Sequence, residues 1–231
     1  GSNAAETTGN YNTALGRATM NQVTSGTQNT VAGYVSGAKL TTSSYNTAMG
    51  SQSLYYTTTG HSNLAMGYLA MYGEDGGTMT GHHNVALGRE ALKVNTTAFQ
   101  NVAVGSQSLM ANTTGNYNTA VGYGSLTTQS GDANYNTAVG YYAGEEGTTG
   151  DANTFVGAFA GEEVSTGGSN TAIGYNAGGG ASSSASTAGN NTSIGHSALE
   201  AVEDGHSNSA IGKNTLLSTT SGDYNTAVGF A

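Results

Sequence analysis

Apolar and polar positions along this chain recur as a short unit rather than as long amphipathic runs. The unit is Asn-Thr-Ala-apolar-Gly, first seen as Asn12-Thr13-Ala14-Leu15-Gly16. Its Asn returns at Asn12, Asn29, Asn46, Asn63, Asn84, Asn101, Asn118, Asn136, Asn153, Asn170, Asn191, Asn208 and Asn225. Nine of the twelve spacings are 17 residues, and the others are 18 or 21. With the Asn counted as position zero, position four is Gly in all thirteen copies, including Gly16, Gly50, Gly122, Gly140, Gly174 and Gly229. Position three is apolar throughout, and position two is Ala in ten copies, the exceptions being Val31, Phe155 and Ser193. Position seven is small, and position eight is Leu, Met or Gly. A Gly precedes the Asn by three residues in nine copies.

A period of 17 is too short for helix-pair repeats and suits one coil of a parallel β-solenoid. The pattern predicts an all-β fold of about 13 coils with two short strands each. One strand lies at Asn-Thr-Ala-apolar and a second near positions six to nine, with Gly at the bends. Stacked coils place the Asn residues in a continuous ladder, read as structural at Asn12, Asn46, Asn118, Asn136, Asn170 and Asn225. Strand alternation puts positions one and three on one face and position two on the other. It leaves open which face is interior. The reading adopted is position three inside, with the Ala column at a contact between chains.

Composition explains why more than one chain is expected. Val, Leu, Ile, Met and Phe total 38 of 231 residues, close to the level at which chains fail to bury a core. Charge is scarce and Pro is absent, which argues against disorder and for uninterrupted ladders. A coil with so thin an interior is expected to bury apolar surface against partner chains, as a homotrimer.

The repeated unit resembles the repeats of trimeric autotransporter adhesin heads of the YadA-like kind. Asn116-Tyr117-Asn118-Thr119-Ala120-Val121-Gly122-Tyr123 is also similar to the repeats of phage tail fibres and of mosaic adhesive trimer proteins. The resemblance runs from about Gly9 to Ala231. It implies a left-handed β-roll, a homotrimer, and a head or shaft of an extracellular fibre on a cell surface or virion, with a host or prey glycan or protein as partner. Residues 1–4 read as a tag remnant and 5–231 as one solenoid domain. The repeat is still running at Phe230, so a longer fibre is expected.

Five Lys and Arg against 14 Asp and Glu, a net charge of −9, speak against nucleic-acid binding. No apolar run of membrane-spanning length is present. No Cys means no disulfide and no thiolate metal site. No cofactor and no catalysis are expected.

Several surface features remain. Two coils carry four extra residues, around Glu74-Asp75 and around Ser182-Ser183, as candidate ligand loops or plain insertions. Glu145, Glu146, Glu162 and Glu163 share a register, and are weak candidates for a Ca²⁺ site beside a solvated acidic edge. Tyr141 and Tyr142 belong to Tyr columns that could bind a glycan or cover a seam between chains. His61, His82 and His206 stand two residues before their Asn, with His83 adjacent, which raises a metal site against ordinary turn histidines. A passive shaft is the alternative to an adhesive segment. A glycan-depolymerising tailspike and an ice-binding solenoid, the latter from Thr at position one, complete the readings.

Overall fold

The computed structural model describes residues 8–73, 77–179 and 186–230. Within them the protein is all-β, with thirteen three-residue parallel strands and no helix. It forms two compact units that divide after Asn116. In the first, β1 (Thr13–Leu15), β2 (Thr30–Ala32), β3 (Thr47–Met49), β4 (Leu64–Met66), β5 (Val85–Leu87) and β6 (Val102–Val104) pair in sequence order. In the second, β7 (Thr119–Val121), β8 (Thr137–Val139), β9 (Thr154–Val156), β10 (Thr171–Ile173), β11 (Thr192–Ile194), β12 (Ser209–Ile211) and β13 (Thr226–Val228) do the same. Equivalent repeat positions face each other in every pair, for example Thr137 with Thr154 and Val139 with Val156. Each unit is thus a β-solenoid.

The Asn column holds the coils together from inside. The backbone N–H of Asn46 donates to Oδ1 of Asn29 at 3.0 Å, and that of Asn153 to Oδ1 of Asn136 at 2.8 Å. The side-chain amide donates onward to the carbonyl three residues before the next Asn: Asn136 Nδ2 reaches Gly150 O at 2.8 Å. These Asn are buried from Asn29 to Asn208, and a buried amide must find such partners.

The strand faces are the reverse of the sequence expectation. Position two is interior: Ala48, Ala65, Ala86, Ala103, Ala120 and Ala138 are fully buried. Position three points out, with Met49, Val139 and Ile173 about two-fifths exposed. The Ala column therefore cannot be a contact between chains. Two causes set the direction. Asn shares the face of position two and must reach carbonyls inside the coil. Opposite, position eight fills the remaining width with Leu54, Leu92, Leu109, Leu126 or Leu199, all buried.

The two columns compensate in size. Phe155, the largest residue at position two, is buried beside Gly144 and Gly161 of position eight. A Cβ on Gly144 would come within 2.7 Å of the Phe155 ring, and one on Gly161 would overlap it. Val31 pairs in the same way with Gly37. Where Ala172 and Gly178 are both small, a void of about 10 Å³ opens.

The second strand expected at positions six to nine does not form. That segment is a turn whose residues at positions six and eight take left-handed backbone, as in Gln52 (φ 58°) and Leu54 (φ 50°). The alternation turns successive peptides to opposite neighbours. Gln52 N–H bonds to Tyr34 O in the preceding coil, and Leu54 N–H to Ala70 O in the following one. Hydrogen bonds are satisfied without a strand, at about 1–2 kcal/mol of strain per left-handed L-residue. Position four needs Gly twice over. Gly122 has φ 142°, and a Cβ there would collide with the carbonyl of Gly140 in the next coil.

Candidate interaction surface

Because positions zero and two face inward, positions minus one, one, three and five make the outer face of the sheet. Their apolar column is exposed in coil after coil: Val121 36%, Val139 38%, Val156 37%, Ile173 39% and Ile211 40% in the second unit. Half-buried Thr residues stand beside it at position one. Tyr residues flank it at positions minus one and five, such as Tyr135 and Tyr141. None of the fourteen Asp and Glu falls at these four positions in any copy, and the cations there are Arg17, Arg89 and Lys213, all at position five.

The Tyr columns form stacks. Tyr117 and Tyr135 lie 5.0 Å apart at 2°, and Tyr123 and Tyr141 lie 5.6 Å apart at 16°. Each stack spends ring faces on its own members and presents edges and hydroxyls outward. Tyr142 packs edge-on against Tyr141 at 4.4 Å. Its hydrogen bond with Tyr123, aided by burial and by the neighbouring acidic groups, pushes its phenol up to about 12. Tyr142 is therefore a neutral hydroxyl at physiological pH. Phe159 and Tyr175 continue the strip edge to face at 5.8 Å, and His196 stacks on Tyr175 at 5.1 Å.

The glutamates line a different edge. The backbone N–H of Glu146 donates to Glu162 O at 2.8 Å, which fixes the coils in register. Burial, and then neighbouring carboxylates, raise Glu145, Glu162 and Glu163 above the usual carboxylate range. Among the described residues no group of three or more His, Cys, Asp or Glu is placed to hold a metal ion, these four glutamates included. The same holds for the histidines. His61 and His82 do stack, 4.9 Å apart at 22°, and His83 meets both edge-on. His206 lies elsewhere and accepts a hydrogen bond from Gly189 N–H through Nδ1 at 3.0 Å.

Glu74, Asp75, Ser182 and Ser183 lie outside the described residues. The chain rejoins the stack after each insertion through an isolated parallel bridge, Thr57 with Met79 and Val164 with Ser186. No helix among the described residues is long and apolar enough to cross a membrane.

Sequence reasoning overlooked the acid-free outer face. Its signal was present: sorting the acidic residues by repeat position, rather than by neighbours in sequence, would have exposed it. No protein-family model, curated protein or solved structure matches the chain.

Proposed function

We propose that this chain is a segment of an extracellular homotrimeric fibre, of the left-handed β-roll kind, that spaces and displays surface groups for adhesion to a cell-surface glycan or protein. The observation that carries this reading is the exposed apolar column on a sheet face free of acidic side chains. On a threefold axis any carboxylate would face its own copies, so an acid-free face on a chain of net charge −9 suits self-association. A partner must match a repeat of one coil, and a second copy does so at every coil. Each coil offers roughly 80 Å² of this face, so about 500 Å² in either unit taken by itself, more than half of the ~800 Å² per partner of a stable interface. Ladders that stack residue on residue supply the stiffness a spacer needs.

A passive shaft is the second reading. It is favoured by the Tyr stacks, whose faces are occupied by one another. Light scattering on the purified chain tests the assembly. About three times 23.0 kDa is expected, and Val139→Glu should shift it towards the single-chain mass. A monodisperse single chain at micromolar concentration would sink the trimer.

A further inference from the structure

The first unit holds an open groove of about 370 Å³ across three successive coils, within the ~300–1,000 Å³ span of small-ligand sites. The repeat register builds it. Thr42 and Thr59 stand four residues before their Asn, Ser44 and His61 two before, and Tyr45, Ser62 and His83 one before. Left-handed backbone at Tyr45 (φ 62°), Ser62 (φ 57°) and His83 (φ 57°) turns the chain at this corner.

Four properties define what fits. First, no Asp, Glu, Lys or Arg lines the groove, although the chain is strongly acidic. Second, Tyr45 is 60% exposed and among the described residues its ring stacks on no other ring, unlike Tyr117 and Tyr135, which stack on each other. The equivalent residues in the adjoining coils, Gln28 and Ser62, are not aromatic, so the column does not stack a ring on Tyr45 as it does on Tyr117 and Tyr135. Third, Thr42 and Thr59 place two exposed threonines one coil apart on the groove wall. Fourth, burial and the neighbouring His82 and His83 hold His61 below the usual imidazole range. That shift favours its uncharged form, and with Nδ1 3.4 Å from Ser62 Oγ the other ring nitrogen is the one it can turn to a ligand, as donor or acceptor by tautomer.

An anionic ligand would find no cation here. An apolar one would leave hydroxyls and imidazoles without partners. A pyranose has one C–H face for an aromatic ring and hydroxyls that both donate and accept. We propose that this groove binds a neutral pyranose of a cell-surface glycan, with its C–H face on Tyr45 and its hydroxyls on Thr42, Thr59, His61 and His83. This deepens the adhesive part of the fibre reading. The groove is complete within one chain, so its test and the light-scattering test fail independently. Tyr45, Ser62 and His83 stand at position minus one, at the rim of the face proposed for assembly, and the other four groove residues lie off that face. With the rim left open, three such sites in a trimer would add avidity to a weak single contact.

Saturation-transfer difference NMR on the whole chain tests it, with methyl glycosides of glucose, galactose, mannose and N-acetylglucosamine as probes and 3′-sialyllactose as the anionic control. At least one neutral glycoside should receive saturation. Tyr45→Asn, which keeps a residue tolerant of left-handed backbone, should cut that signal at least fivefold. Thr59→Val should also lower it, without touching the backbone turn. Tyr11→Asn, at the same repeat position but outside the groove, should leave it unchanged. Three results would overturn the proposal: no transfer to any neutral glycoside, equal transfer in Tyr45→Asn and Thr59→Val, or transfer to the sialylated probe alone.

Discussion

The size compensation between Phe155 and its glycines makes a quantitative test of the core. Phe155 is 1% exposed, and truncation to Ala removes a ring with no other group to fill its place. The cost expected is about 3–5 kcal/mol. Gly161→Leu alone should also destabilise, by about 1–3 kcal/mol or more, because even its Cβ overlaps the ring. Together the two changes rebuild the neighbouring arrangement of Ala120 with Leu126. The backbone is ready for it: Gly161 has φ 62° and Leu126 has φ 50°. Phe155→Ala/Gly161→Leu should then lose far less than the sum, with a coupling on the order of 3 kcal/mol. Urea unfolding followed by circular dichroism, at one fixed protein concentration because assembly shifts apparent stability, gives the four corners of the cycle. Additive losses would refute the idea that positions two and eight share one interior volume.

Two further outcomes follow from the ladder and the acidic edge. Asn136→Ala leaves Gly150 O and Asn153 N–H without their side-chain partners and should cost about 2–5 kcal/mol in urea unfolding; a loss under about 1 kcal/mol would mean that the ladder is not a stabilising element. Glu162 has a folded-state value raised first by burial and then by Glu145, so its ionisation opposes folding, and stability is lost as pH rises through that value. Glu162→Gln should accordingly raise the unfolding temperature at pH 7 by about 1–3 °C, from like-charge costs of about 0.2–1 kcal/mol per pair, and the gain should vanish once the carboxylates are protonated in acid. A variant that is less stable at pH 7 would contradict the assignment.

Much of the fold was legible in the spacing of Asn and Gly. Regular intervals between identical residues demand parallel coils in register, because only then do all thirteen copies meet equal surroundings. The left-handed turn at positions six and eight was harder to read. Leu, Gln and Tyr occupy it against their preference for right-handed backbone, and side-chain identity carries little trace of that. The trace that does exist is the Gly found at the same positions, Gly37, Gly144, Gly161 and Gly178 at eight and Gly124 at six. The groove at Tyr45 was not legible, since Thr42, Thr59, His61 and His83 span 42 residues of sequence and meet only through coil stacking.

The sequence by itself determined the period, the register and the two-sidedness of each strand. A pleat fixes only which residues share a side, and it is silent on which side is interior. Tertiary structure decided that. The Asn amide must reach a carbonyl inside the next coil, and the width left between the strand and the opposing Leu column admits Ala but no larger residue unless a glycine gives way. Ala therefore went in, and the apolar column at position three was left outside, where it became the surface on which the proposed assembly rests.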